Sequence, residues 1–459
     1  MARGARACFD DPNLVSLAGL VPVMRLAAAA GLDRLADRHL TVPTDKGANP
    51  GGKVTALVAG MVAGADSIDD MDVLRHAAMR RLFDRPYAAS TLGAFLRSFT
   101  FGHVRQLDAV ASRFLAGLGG RTSLLPATDG LTFVDIDDSI VEVHGYAKQG
   151  AGFGYTRVRG LNMALATVCT ARSAPVVLTQ RLRKGSTNSA RGAKRLVTDA
   201  LATLARMRSA ASSDAGPVLV RMDSAFYAAT VIGAAIRAGA MVSVTVRQDP
   251  KVKTAIASIT DDSWTPIEYT DAIYDEDTKT WISRAEVAEI PFTAFSSRPK
   301  TEQVPGRLVV RRIPDLNRQP GQGTLFDTWR FHAFFTTNTL DTVTADKTHR
   351  GHAIIEQVHA DLKDSAIAHL PSGRFAANAA WLVCAVIAFN LTRATGTLAG
   401  GRFTKARTAT VRRTLITVPA RIASRARRLT LHLPEAWPWA QAWTAMFNHG
   451  TGPPLAATP

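Results

Sequence analysis

Two hydrophobic patterns follow one another along the chain. Up to about residue 125, apolar residues recur every three or four positions, which predicts amphipathic helices. From Leu131 onward, short apolar runs alternate with helical stretches. The runs lie at 132–136, 140–144, 163–170, 175–181, 217–221 and 241–246, and the helical stretches at 189–207 and 226–238. Strands that alternate with helices predict an α/β fold.

The same pattern predicts five segments. They are a helical DNA-binding or accessory domain (1–125), the first part of an α/β core (126–247), a β-rich insertion (248–330), the second part of the core (331–398) and a basic C-terminal region (399–459). In the first segment, Arg97, His103 and Arg105 would suit a DNA-binding helix pair, and an ordinary helical bundle fits the pattern equally well.

An uncharged stretch at 375–392 is long enough to raise the question of a membrane span. Asn378 and Asn390 lie within it, so we expect a buried core helix and no membrane partner. The three cysteines, Cys8, Cys169 and Cys384, lack the spacing of a disulfide framework or a zinc site. The N-terminus lacks the layout of a signal peptide, and together these features predict a cytoplasmic protein.

Charge indicates the class of partner. With 46% hydrophobic and 20% charged residues the chain has the composition of a globular protein, but 55 Lys and Arg against 38 Asp and Glu leave a net charge of +17. A polyanion is the natural partner. No acidic residue lies between Asp364 and Glu435, which predicts a phosphate-binding surface, with a merely solubilising face as the alternative. The basic residues there include Arg402, Lys405, Arg407, Arg412, Arg413, Arg421, Arg425, Arg427 and Arg428.

The stretch 349–363 carries the polar pattern of most chemical interest. At helical spacing, His349, His352, Glu356, His359 and Lys363 share one face beside an apolar stripe. A carboxylate among imidazole and ammonium groups could hold a metal ion against a nucleic-acid backbone. A solvated amphipathic surface is the alternative.

Two further carboxylates, Asp137 and Asp223, lie at predicted strands. A carboxylate buried at the end of a strand is unfavourable unless it has a cation partner. Mg²⁺ suits this position because it prefers oxygen ligands and retains sites for water and phosphate. With Glu356, the two Asp residues could hold the ions of a two-metal phosphoryl-transfer site. Taken singly, each Asp could instead cap a turn or pair with an arginine.

Several phrases around these residues resemble one family. They are VDIDDS at 134–139 with VHG at 143–145, RLRKG at 181–185, RMDSAFY at 221–227, and Glu356 with Lys363. In these motifs, which extend over about residues 130–395, the chain resembles the insertion-sequence transposases of the DDE type. In pattern it is close to the group 1 DDE-domain transposases, which carry a β-strand insertion between the second Asp and the Glu.

The resemblance implies a ribonuclease H-like catalytic core in which Asp137, Asp223 and Glu356 bind Mg²⁺, with Mn²⁺ as a possible substitute. Lys363 would hold a phosphate, with His352 or Arg350 assisting. The acidic residues are 86 and 133 positions apart, and the second gap is long enough for the insertion. The implied activity is cleavage at the terminal inverted repeats of double-stranded DNA and joining of the 3′ hydroxyls to target DNA, by a homodimer.

The chain departs from the family signature at two positions. The Tyr seven residues before the Glu and the Arg four before it are His349 and His352 here, and Arg350 is a candidate for the missing guanidinium. Asp135 alternates onto the same strand face as Asp137 and remains the alternative first ligand. Two other functions stay open: a metal-dependent nuclease that cuts without joining, and a DNA-binding protein with a decayed active site.

Overall fold

The computed structural model describes residues 6–43, 45–83, 86–126, 130–212, 216–275, 279–314, 329–425 and 428–449. The N-terminal region is helical, as predicted. It contains β1 (Leu14–Val15), α1 (Leu20–Ala29), α2 (Leu32–His39), α3 (Pro50–Ala63), α4 (Met79–Leu82), α5 (Ala89–Arg97) and α6 (Phe101–Gly119). Thr100 begins α6 through a capping box, in which its backbone N–H donates to His103 Nδ1 at 3.1 Å. His103 therefore has a structural role.

Strands and helices then alternate, which confirms the predicted α/β class. The elements are β2 (Thr132–Glu142), β3 (Gly152–Phe153), β4 (Arg159–Cys169), β5 (Val176–Lys184), α7 (Ala193–Ala211), β6 (Val218–Met222), α8 (Ala229–Arg237), β7 (Met241–Thr245) and α9 (Pro250–Ala257). The runs predicted as separate strands at 132–136 and 140–144 form the single strand β2. They are continuous because β4 pairs along the whole of β2, including the polar residues between the two runs.

The central sheet has a mixed order. Five strands lie in the sequence β5, β4, β2, β6, β7. The first three pair antiparallel, whereas β2, β6 and β7 pair parallel. Val134, Val220 and Val242 are fully buried at the centre of the three parallel strands. The parallel strands consequently end at one edge of the sheet, where β2 continues into polar residues and β6 stops.

The predicted β-rich region extends this sheet. It supplies β8 (Thr265–Asp275), β9 (Thr280–Ala294) and β10 (Val304–Pro314), and β11 (Trp329–Thr336) follows. β11 pairs antiparallel with β7 on one side and with β10 on the other. The inserted strands are therefore hydrogen-bonded to the central sheet through β11.

The single helix predicted over 349–363 is wrong. The structure has α10 (Thr342–Arg350), a turn of 3-10 helix at 351–353 and then α11 (Ile354–Lys363). Arg221 Nη1 donates to the Thr348 carbonyl at 2.7 Å, which occupies an acceptor of the last α10 turn. A Cβ on Gly351 would lie 2.7 Å from the same nitrogen, so this guanidinium packs directly against the helix break.

The C-terminal part contains α12 (Phe375–Ala399), α13 (Thr408–Val411), β12 (Ala420–Arg425), β13 (Arg428–His432) and α14 (Ala440–His449). α12 is long and apolar enough to cross a membrane, but its most apolar window is 89% buried inside the protein. Asn390 lies in its interior and bonds both backbone groups of Val177 on β5 at 2.8 Å. The prediction of a buried core helix is confirmed.

The two ends of the chain meet in a small sheet of β1, β12 and β13. The division into five segments with the predicted boundaries remains a prediction. Much of the basic C-terminal region is exposed, including Arg402, Lys405, Arg407, Arg413 and Arg425. Arg421 pairs with Asp11 at 3.1 Å, and Arg412 is half-buried. Arg427 lies outside the described residues, as does the side chain of Arg428.

Candidate active site

The first two predicted carboxylates lie at adjoining strands. Ile136 of β2 is opposite Met222 of β6 in the parallel register, so Asp137 and Asp223 are the next residues of the two strands. Asp223 then begins a short 3-10 turn, where its Oδ1 accepts from the Ala225 N–H at 3.0 Å. The hydrophobic strands thus bring these two acidic side chains together at the sheet edge.

Asp135, the alternative first ligand, forms a buried ion pair with Arg221. Its carboxylate is fully buried and accepts from Arg221 Nε at 2.7 Å and Nη2 at 2.8 Å. His352 Nδ1 lies 2.9 Å from the same carboxylate, and the Arg221 guanidinium also covers the Phe133 ring. Asp135 and Arg221 therefore link β2 and β6 to the helix break and to the start of α11.

Asp137 has a different environment. Its side chain is 23% exposed, and its Oδ1 accepts from the Asp138 N–H at 2.7 Å. The pKa of Asp137 is raised to about 6, chiefly by burial; the charges of Asp223 and Asp138 contribute to this increase, while the Asp138 N–H and His352 oppose it. Burial and the charge of Asp138 also raise the pKa of Asp223. Within the described residues, neither carboxylate has a salt bridge to Lys or Arg.

α11 lies over this face of β2 with one polar stripe. His352 precedes the helix and contacts Asp135, His359 Nε2 lies 3.8 Å from Asp137 Oδ2, and Lys363 Nζ donates to Ser139 Oγ at 2.6 Å. Burial lowers the pKa of Lys363, opposed by the charge of Asp137. The contact with Ser139 fixes the Lys363 amine beside the carboxylate pair.

His359 is the most unusual member of this stripe. It is buried, and neither ring nitrogen has a hydrogen-bond partner in the part of the chain that the structure describes. Burial lowers its pKa to about 3, and the charges of Lys363 and His352 add to this effect. His359 is thus a neutral imidazole beside Asp137 at neutral pH, with an unused donor and an unused acceptor.

Glu356 shares the helical spacing of this stripe but not its contacts. It lies four residues after His352 and three before His359, so its backbone is on the same helix face. The side chain is exposed. Among the described residues, no three His, Cys, Asp or Glu side chains are grouped closely enough to hold a metal ion. The structure therefore brings Asp137, Asp223 and Lys363 together and leaves Glu356 outside.

His349, which replaces the signature Tyr, and Arg350, the candidate for the missing guanidinium, both have partners in the structure. His349 belongs to α10, stacks on Phe334 and contacts the hydroxyls of Ser243 and Thr245 at 2.8 and 3.0 Å. Burial lowers its pKa to about 3. Arg350 pairs with Asp346 at 2.8 Å. The expected shared face of His349 with Glu356 is wrong, because the 3-10 turn at 351–353 interrupts the α-helical spacing between them, and His349 is held between Phe334, Ser243 and Thr245 while Glu356 is exposed.

Sequence reasoning gave no role to the neighbouring Asp138. It points to the opposite sheet face, where it pairs with Arg183 and accepts from Asn162 Nδ2 at 3.0 Å and Ser189 Oγ at 3.1 Å. Arg183 lies in the RLRKG phrase, so this motif could have suggested an arginine partner. The three Asp residues of β2 thus have three different environments.

The carboxylates of Asp137 and Asp223 suit a divalent cation. Asp137 and Asp223 are two oxygen-donor groups, both partly desolvated, and Asp223 raises the pKa of Asp137 by repulsion. A divalent cation is the partner that relieves such repulsion. The oxygen atoms of these two residues can therefore bind a metal ion, whereas the exposed Glu356 is not grouped with them in this arrangement.

Residues 2–449 match the family described as Transposase DDE domain group 1. The chain belongs to this family. No curated protein matches the sequence. Membership implies that this DDE transposase binds DNA and is a nuclease or transferase, and enzymes of this family generally use divalent metal ions.

Proposed function

We propose that this DDE transposase binds the terminal inverted repeats of its own insertion sequence, cleaves the DNA strands at the ends and joins them to a target. The single observation that carries the proposal is the carboxylate pair Asp137 and Asp223 beside Lys363, in a chain of this family. Cleavage and joining of the element DNA would take place in the cytoplasm, at the nucleoid. A homodimer would hold the two ends of the element.

We infer that β5, β4, β2, β6 and β7 form a ribonuclease H-like core. The support is their order, with three antiparallel strands followed by two added in parallel. In this arrangement the parallel strand ends carry the two acidic residues, and the later helix α11 covers them. The sheet thus supplies a fixed frame for the chemistry, while the strands β8 to β10 lie at the far side of β11.

Asp137 and Asp223 would hold Mg²⁺, with Mn²⁺ as a substitute. Glu356 is proposed as the third ligand, which requires its side chain, exposed in this structure, to turn toward the pair. When bound, such ions lower the pKa of an attacking water and neutralise charge on the leaving 3′ oxygen. Lys363 would hold a phosphate oxygen as a point charge. Arg221 would position α11 through Asp135 and the Thr348 carbonyl. Asp135 is not proposed as a ligand, because its oxygens already serve Arg221 and His352.

The test is excision and reinsertion of a marked element with the gene's native flanks, in cells. Asp223→Asn should abolish movement, whereas Asp69→Asn, an exposed acidic residue of the N-terminal region, should leave it unchanged. Excision without reinsertion by the wild type would instead indicate a nuclease that does not join. If the expressed wild type binds the ends but never moves the element, a decayed active site is the better explanation, and the exposed Glu356 favours that outcome.

A further inference from the structure

Three aromatic side chains are exposed to solvent in the connection between β2 and β4, which includes the two-residue strand β3. Tyr146 is 102% exposed, Tyr155 is 103% exposed and Phe153 is 65% exposed. Single exposed aromatic residues are ordinary, but a group within ten residues of chain marks a binding surface. We call residues 143–159 the aromatic loop.

The aromatic loop is held in place. The Gln149 N–H donates to the Gly373 carbonyl at 2.9 Å, and the Gln149 side chain accepts from the Phe375 N–H at 3.0 Å. The Gly185 N–H donates to the Gly150 carbonyl at 3.0 Å, and Gly150 takes a φ of +81°, where a Cβ would lie 2.9 Å from the Phe375 ring. The exposed rings therefore project from an anchored frame, which lowers the entropy cost of binding.

Charge around the loop selects an anionic partner. No Asp or Glu occurs in residues 143–198, which contain ten Lys and Arg residues. Three of these, Arg181, Arg183 and Arg195, pair with carboxylates outside this stretch, which leaves seven without a salt bridge among the described residues. Arg157 is exposed between Tyr155 and Arg159, and Arg159 Nη1 donates to the Gly145 carbonyl at 2.7 Å. Basic groups interleaved with exposed aromatic rings are the combination that binds nucleic acid with accessible base faces.

A cleft of about 650 Å³ connects the loop with the candidate active site. Lys363, which touches Ser139 two residues beyond Asp137, lines one part of the cleft, and His144, Lys148 and Thr156 of the aromatic loop line another. Glu142 is the one carboxylate among the lining residues. Asp137 and Asp223 are not among the lining residues, so the cleft joins the aromatic loop to the candidate active site through Lys363.

We propose that the aromatic loop binds a DNA strand whose bases are unpaired next to the cleavage position. In a paired duplex both faces of an internal base are covered by its neighbours, so rings such as Tyr146 and Tyr155 can stack only where bases are exposed. Arg157 and Lys363 contact the phosphates of the same strand. The inference rests on the proposed function and specifies the form of its substrate: DNA that is opened at the element end.

The test compares two fluorescent probes by anisotropy with the purified full chain: a fully paired duplex, and the same duplex with a single-stranded tail. The wild type should prefer the tailed probe. The double change Tyr146→Ala and Tyr155→Ala should weaken binding of the tailed probe at least tenfold, because stacking on two bases is lost, and should leave duplex binding unchanged. Tyr146→Phe with Tyr155→Phe should retain the preference.

Phe9→Ala is the matched control, since Phe9 is equally exposed but precedes β1 on another part of the chain. Equal weakening of both probes by the Tyr double change, or no weakening, would overturn the proposal, as would a wild type without preference. Asp223→Asn separates the two hypotheses. It should keep the tail preference while losing cleavage. A wild type that shows a Tyr-dependent preference but never cleaves DNA would refute the proposed function and not the loop's role in binding.

Discussion

Changing Asp137 to Asn should stabilise the metal-free protein at neutral pH. Burial, together with the charges of Asp223 and Asp138, raises the pKa of this carboxyl from an ordinary value of 3.8 to about 6. A difference of about 2 in pKa corresponds to roughly 3 kcal/mol between the two charge states. Because the side chain is 23% exposed, solvent screening reduces this, and we expect about 1–2 kcal/mol.

The pH dependence follows from the sign of the shift. The folded protein binds the Asp137 proton more tightly than the unfolded chain does, so the penalty is absent below about pH 4, grows between about pH 4 and 6, and is complete above that range. Asn carries no charge, and its oxygen can still accept the Asp138 N–H. The gain in stability should therefore be present at about pH 7.5 and lost near pH 4.

The assay is urea unfolding of the wild type, Asp137→Asn and Asp138→Asn in EDTA and in Mg²⁺. Asp138→Asn is the matched control, because it leaves Arg183 without its carboxylate and should destabilise by about 2 kcal/mol or more. Mg²⁺ should stabilise the wild type and not Asp137→Asn. If Asp137→Asn is destabilising at neutral pH, or equally stabilising at both pH values, the argument from burial and repulsion is refuted.

Three further changes test other parts of the structure. Arg221→Met should cost about 3–5 kcal/mol in urea unfolding because the buried Asp135 loses its arginine partner and keeps only His352, whereas a loss as small as that of the exposed Arg157→Met would contradict the ion-pair argument. Asn390→Leu should cost about 2–4 kcal/mol, since both backbone groups of Val177 lose their partner, and unchanged unfolding would show that they find another. Lys363→Met should slow strand cleavage at least tenfold while the Mg²⁺-induced gain in stability persists; loss of that gain would indicate that Lys363 orders the site instead of holding a phosphate.

Hydrophobic periodicity determined much of this protein from sequence. Alternating strands and helices predicted the α/β class, because side chains of a strand alternate between faces and those of a helix repeat every 3.6 residues. The uncharged stretch with Asn378 and Asn390 predicted a buried helix. The position of Asp223 directly after an apolar strand followed from the same local pattern, whereas Asp137, expected at a strand end, lies within the continuous strand β2. The motif phrases indicated the transposase family.

Tertiary structure decided the environments of residues that periodicity treats alike. Asp135 and Asp137 alternate onto one face, and only the pairing of β2 with β6 shows that Asp135 lies opposite Arg221 while Asp137 has no such arginine. The helix break at Gly351 packs against that same Arg221, which is 130 positions away in sequence. Periodicity fixes which face a side chain takes, but the partner on that face comes from a distant segment, so register and helix packing determine the chemistry of each carboxylate.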